Sequence, residues 1–155
     1  MIAFRAHRAG VSQSGFTPSI YNHVLLPDVT PHQPSGAAGY DFGGRFINSL
    51  WVPIADDEPC AMVHFDGQLW IPDGGAVASG CNFVARIIKN GWSAWDYVGA
   101  KVAAKGPFAG DWVIDLSMQD PAKPGDSYGV YLFTLSAGIS IDGNPLHSWW
   151  SGHVV

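Results

Sequence analysis

The sequence predicts an all-β chain folded as a two-sheet antiparallel jelly-roll sandwich. Three observations carry that expectation. Nineteen Gly and eleven Pro are spread along the chain and cut it into short apolar or β-branched runs. Glu, a strong helix former, occurs only at Glu58, and no segment keeps a helical period. Repeated short strands without helices between them can hide their apolar faces only against a second sheet.

Taken in order, the expected strands are Ile2–His7, Ile20–Leu25, Gly44–Phe46, Cys60–Ile71, Phe83–Lys89, Tyr97–Ala104, Trp112–Ser117, Gly129–Leu135 and Trp149–Val154. Each is an apolar or β-branched run bounded by turn residues. Asn90-Gly91 supplies the positive φ angles of a tight hairpin turn, and Asp142-Gly143-Asn144-Pro145 reads as a second turn. The stretch from Pro27 to Gly44, rich in Pro, His and Gly, reads as a long loop. An alternating set, Phe4, Val24, Val63, Phe65, Val84, Ile88, Val113, Val130, Leu132 and Val154, is expected in the interior. Gly129–Leu135 is apolar at odd and even positions alike, so its inward face is left open. A strand apolar on both faces belongs in a sheet covered on both sides, here by another subunit.

Length and composition bound the function classes. With 155 residues and no internal repeat, residues 1–155 read as a single domain able to bury its own core. The 8 Lys and Arg against 13 Asp and Glu are scattered, which gives no positive face for nucleic acid and no polybasic stretch for anionic lipid. Met1 to Arg8 lacks the apolar core of a signal peptide, and no run reaches the roughly 18 apolar residues of a membrane span. The expectation is a protein that does not insert in membranes and reaches the outside by host lysis.

Catalytic and metal signatures are sparse. No Gly-x-Ser-x-Gly occurs, and neither Cys60 nor Cys81 has a Cys-x-x-Cys partner. The two cysteines can pair or stay free, and unpaired, half-buried thiols are expected. His7, His23, His32, His64, His147 and His153 lack ligand spacing and read as loop and strand histidines. Asp56-Asp57-Glu58, with Asp66 and Asp73 downstream, is weighed as a calcium site against a solvated acidic turn, and the turn is preferred. No cofactor, metal or enzymatic activity is expected.

Aromatic residues are the stronger hint. Trp92, Trp95 and Tyr97 follow the Asn90-Gly91 turn and are the candidate ligand-binding residues, since an exposed ring stacks on a sugar face or anchors a partner. Trp51 and Trp70 are lesser candidates. Tyr128, Tyr131, Phe133 and Trp149 are the candidate interface residues, with Trp149 and Trp150 divided between interface and core because strand neighbours face opposite ways.

Six landmarks in order carry a family resemblance: Ala3-Phe4-Arg5-Ala6-His7-Arg8, Ile20 to Leu25, Tyr40-Asp41-Phe42-Gly43-Gly44-Arg45-Phe46, Ala85 to Gly91 ending in Lys-Asn-Gly, Pro124-Gly125-Asp126 before Tyr128, and Ser148-Trp149-Trp150-Ser151-Gly152. Together they resemble the globular head of the complement C-one-q family, a branch of the tumour necrosis factor-like jelly rolls. Trp150 stands where that family usually has Phe, and no Gly-x-y stalk precedes Ile2. The resemblance implies a homotrimer packed around a threefold axis, with recognition at loops or apex. The expected function is a non-enzymatic virion protein of bacteriophage type: a head spike, head fibre or tail-fibre tip on the virion surface that binds a cell-surface glycan or protein receptor. Its other partners are further virion proteins. A capsid-decorating trimer without receptor role and a secreted complement-like ligand-binding domain are the alternatives.

Overall fold

A computed structural model describes residues 2–8, 10–27, 29, 39–72, 83–91, 96–105 and 110–155. The described residues form twelve strands and no helix: β1 (Ala3–His7), β2 (Tyr21–His23), β3 (Tyr40–Phe42), β4 (Phe46–Ile47), β5 (Leu50–Trp51), β6 (Ala61–Ile71), β7 (Val84–Lys89), β8 (Asp96–Val102), β9 (Ala104–Lys105), β10 (Trp112–Ala122), β11 (Tyr128–Phe133) and β12 (Trp149–Val154). The first sheet runs β3-β1-β12-β6-β10-β9 and the second β4-β5-β11-β7-β8, with β2 also paired to β11. The expected two antiparallel sheets are both present.

Three short strands escaped the sequence. β3, β5 and β9 are two or three residues each, too short to show a period and flanked by loop-forming residues. β10 continues to Ala122, past the expected end at Ser117, through a polar stretch that contains Pro121. It does so by staying paired with β6 as far as Ala122; among the described residues β9 pairs only with Trp112 and Val113, so a proline without an N–H is tolerated on the other edge.

Phe4 sits at the centre of the core. Its ring stacks on Phe46 at 4.7 Å, tilts against Trp51 at 4.9 Å and meets Trp150 edge-on at 4.6 Å. Phe65 joins Trp51, Tyr128 and Trp150 from β6. The closing strand admits this cluster only because residue 152 is Gly: a Cβ there would lie 2.7 Å from both the Phe4 and the Trp51 ring. Of the expected interior set, Phe4, Val24, Val63, Phe65, Val130 and Leu132 are fully buried. Val84 and Val113 are half-buried on outward faces, because β7 and β10 turn Ala85, Ile87, Ile114 and Leu116 inward instead. Ile88 is buried but lies opposite Gly129 on the outward side, and Val154 packs at the core margin.

Two sequence landmarks prove to be one structural unit. Asn90 and Gly91 take the expected positive φ, 58° and 81°, but Lys89 pairs with Asp96, so they open a six-residue connection rather than a tight hairpin. Asn90 then reaches the Pro124-Gly125-Asp126 turn, donating through Nδ2 to Asp126 Oδ1 at 2.9 Å and accepting the Ser127 N–H at 3.0 Å. Lys89 Nζ lies 2.7 Å from Asp120 and 3.4 Å from Asp126, and the Tyr128 hydroxyl donates to Asp120 at 2.7 Å. Burial pushes Asp126 up, but bonds from Asn90, the Lys123 N–H and Lys89 outweigh it and hold the carboxyl below its ordinary value. Burial likewise opposes the Lys89 charge, and Asp120 with Asp126 reverses the balance, raising it. These motifs lock the sandwich end.

Candidate interaction surfaces

The sandwich offers two outward faces. On the first sheet, Arg5, His64, Asp66, Gln68, Asp115, Ser117, Trp149, Ser151 and His153 point away from the core, as the cross-strand register and their exposure show. The Arg5 guanidinium lies 4.7 Å over the Trp149 ring and donates to the Pro145 carbonyl at 3.3 Å. Gln68 donates to Asp115 at 3.4 Å, and His64 Nε2 lies 3.0 Å from Asp66 Oδ2. This face is largely polar around one half-buried indole, with the exposed side chains of Phe42 and Met62 at its margins.

The second sheet turns out aromatic groups. Tyr21 of β2 meets Phe133 of β11 at 5.3 Å, and His23 stacks on Tyr131 at 4.8 Å with 17° between the planes. Arg86 of β7 lies 4.7 Å over Tyr21, and exposed Val102 of β8 extends the apolar area. Burial pulls His23 down, only partly opposed by its bond to the Ser49 carbonyl, which favours the neutral ring where it stacks. Burial also pushes Tyr131 up. Rings stacked on each other show solvent their edges, so this face suits a protein partner better than a sugar plane.

The expected site residues therefore part company. Trp92 and Trp95 lie outside the described residues, and of Tyr97 only the backbone, in β8, is described. Tyr128 points inward and is fully buried within the protomer, because β11 turns Tyr128, Val130 and Leu132 to the core. It has no area to give a second subunit. Tyr131 and Phe133 sit on the outward face of the second sheet, and Trp149 on that of the first. Trp150 fills the core, as the alternation along β12 demands.

The lesser aromatic candidates carry no open ring. Trp51 is fully buried, and Trp70 is almost so, its indole N–H bonded to Asp111 at 3.0 Å and its face covered by His147 at 4.3 Å. Cys60 is a free, exposed thiol rather than half-buried, because it precedes β6 in a loop; Cys81 lies outside the described residues.

The acidic run is structural at Glu58. Arg45 holds both its carboxylate oxygens, at 2.5 and 2.8 Å, and the Ala55 N–H adds a bond of 2.9 Å. These bonds, that of Arg45 foremost, lower Glu58 to about 2 and neutralise the carboxylate within the chain. Beside the pair a groove of about 410 Å³ is lined by Arg45, Ile47, Leu50, Val52 and Ala55. The guanidinium at its lip is already neutralised. Among the described residues no three His, Cys, Asp or Glu side chains converge as a metal set. One pairing was invisible in the sequence: β12 lies beside β6 and sets His153 directly opposite His64, with ring centres 5.2 Å apart.

The topology and geometry find their counterparts among solved structures. Murine APRIL at pH 5.0 superposes with a TM-score of 0.61 and 9% identity, over 99% of this chain and 98% of that one. Murine APRIL at pH 8.5 gives 0.60 and 10% over the same shares of 99% and 98%. The fold is the tumour necrosis factor-like jelly roll. No protein-family model and no curated protein matches the sequence. At these identities the likeness extends to the fold, and the jelly roll's two faces must speak for themselves.

Proposed function

We propose that the chain is a non-enzymatic recognition module that works as a homotrimer and binds a protein receptor or glycan on a cell surface. The observation that supports it is the tumour necrosis factor-like jelly roll, a likeness that spans 99% of the chain. In a threefold ring each protomer's two neighbours lie in similar directions, so opposite faces of one sandwich cannot both seat at the axis. We assign the first sheet, with Trp149, to the axis. The aromatic second face, carrying Tyr131 and Phe133, then turns outward to a protein partner, and Trp92, Trp95 and Tyr97 are the glycan contacts.

The setting we propose is the surface of a virion of bacteriophage type, as a spike, fibre tip or capsid-decorating trimer built with other virion proteins. The likeness to murine APRIL favours a second setting, a secreted ligand-binding domain. Native mass measurement of the full chain tests the assembly. Three chains per particle are expected, and a monodisperse monomer at micromolar concentration would remove the axis assignment. Replacing Trp92 or Trp95 with Ala should weaken glycan or cell binding and leave the thermal transition in place. The chain's presence in purified particles, read by mass spectrometry, separates the two settings.

A further inference from the structure

We propose that His64 and His153 form a two-nitrogen binding site for a divalent transition-metal ion, backed by the carboxylate of Asp66. The spacing is the first support. Two imidazoles on one tetrahedral ion, each at about 2.0–2.1 Å, place their ring centres roughly 5 Å apart. The observed separation is 5.2 Å, with the planes tilted by 51°.

The hydrogen bonding of His64 is the second. Its Nε2 lies 3.0 Å from Asp66 Oδ2, which draws the ring proton to that nitrogen and leaves the lone pair on Nδ1. Nδ1 is buried and has no hydrogen-bond partner among the described residues. A carboxylate behind one imidazole nitrogen and an unused lone pair on the other is the arrangement that orients metal-ligating histidines. Imidazole donors suit Zn²⁺, Ni²⁺ and Cu²⁺.

The surroundings do not oppose a cation. Arg5, which faces the same way from β1, is held over Trp149 and on the Pro145 carbonyl. Gln119 of β10 and Ala3 of β1 flank the pair in the ladder and carry no charge. Both imidazoles come from one protomer, on the first-sheet face that the proposed assembly turns toward the axis, so the titration is read together with the particle mass.

The test is titration of the full chain with Zn²⁺ by calorimetry and with Cu²⁺ by electron paramagnetic resonance. One saturable ion per chain is expected, with Cu²⁺ coupled to two imidazole nitrogens. His153→Gln, at an exposed position, should keep the fold and weaken Zn²⁺ binding at least tenfold. Asp66→Asn should cost roughly tenfold through His64, while His147→Gln should change nothing. Undiminished Zn²⁺ affinity in His153→Gln, or no saturable binding by the unmodified chain, overturns the proposal.

Discussion

The two outward faces of this sandwich were built by the same alternation rule yet present opposite chemistry. Arg5, Asp66, Gln68 and Asp115 make the first sheet's face polar around Trp149, whereas Tyr21, His23, Tyr131 and Phe133 make the second aromatic. The strand read as apolar on both sides, Gly129–Leu135, turns Tyr131 and Phe133 outward, where they meet His23 and Tyr21 of β2 side by side in the same sheet. These contacts run along the sheet and do not cover its outer surface.

The largest effect should come from removing the strand that supports the first face altogether. Truncation after His147 deletes β12 from between β1 and β6, and circular dichroism should show no cooperative thermal transition. A folded truncated protein would contradict the topology. Next, adjacent tryptophans separate core from face: Trp150→Ala should lose about 3–5 kcal/mol in chemical denaturation, as large aromatic truncations in cores do. Trp149→Ala, at a half-buried position, should lose clearly less than Trp150→Ala, yet shift light scattering from trimer toward monomer. If Trp149→Ala leaves the trimer intact while Tyr131→Ala dissolves it, the assignment of the two faces is reversed.

A smaller effect is expected on the second face. Tyr131→Ala and Phe133→Ala each remove one cross-strand aromatic partner, worth about 0.2–1 kcal/mol, and should leave the particle mass unchanged while reducing protein-receptor binding. The smallest concerns a pair that belongs to neither face. Glu58 is lowered to about 2 in the folded chain from an ordinary 4.5, so its contribution is fully present above that ordinary value and fades as pH falls toward about 2. Thermal midpoints of the parent and Glu58→Gln should differ at neutral pH and converge in strong acid. Parallel curves down to the lowest pH would show that the Arg45 contact adds no stability.

Much of the fold was legible because β6, β7, β11 and β12 are long enough to show apolar runs bounded by turn residues. Landmarks such as Lys89-Asn90-Gly91 and Pro124-Gly125-Asp126 were legible as turns, but their mutual hydrogen bonds depend on β7 and β11 being neighbours. Inward faces were harder. Val84 and Val113 looked as suitable for the interior as Ala85 and Ile114, since hydrophobicity does not say which side of a sheet is covered. Pairings such as His64 with His153 and Arg45 with Glu58 are set by strand order and loop path, which composition cannot reveal.

The placing of β12 also bears on how the chain is made. Its ladder partners β1 and β6 are synthesised well before it, so until β12 emerges from the ribosome both keep a bare hydrogen-bonding edge toward the vacant slot. A nascent chain of this kind is exposed to strand theft by its siblings throughout that interval, and slow translation between β6 and β12 would lengthen the exposure.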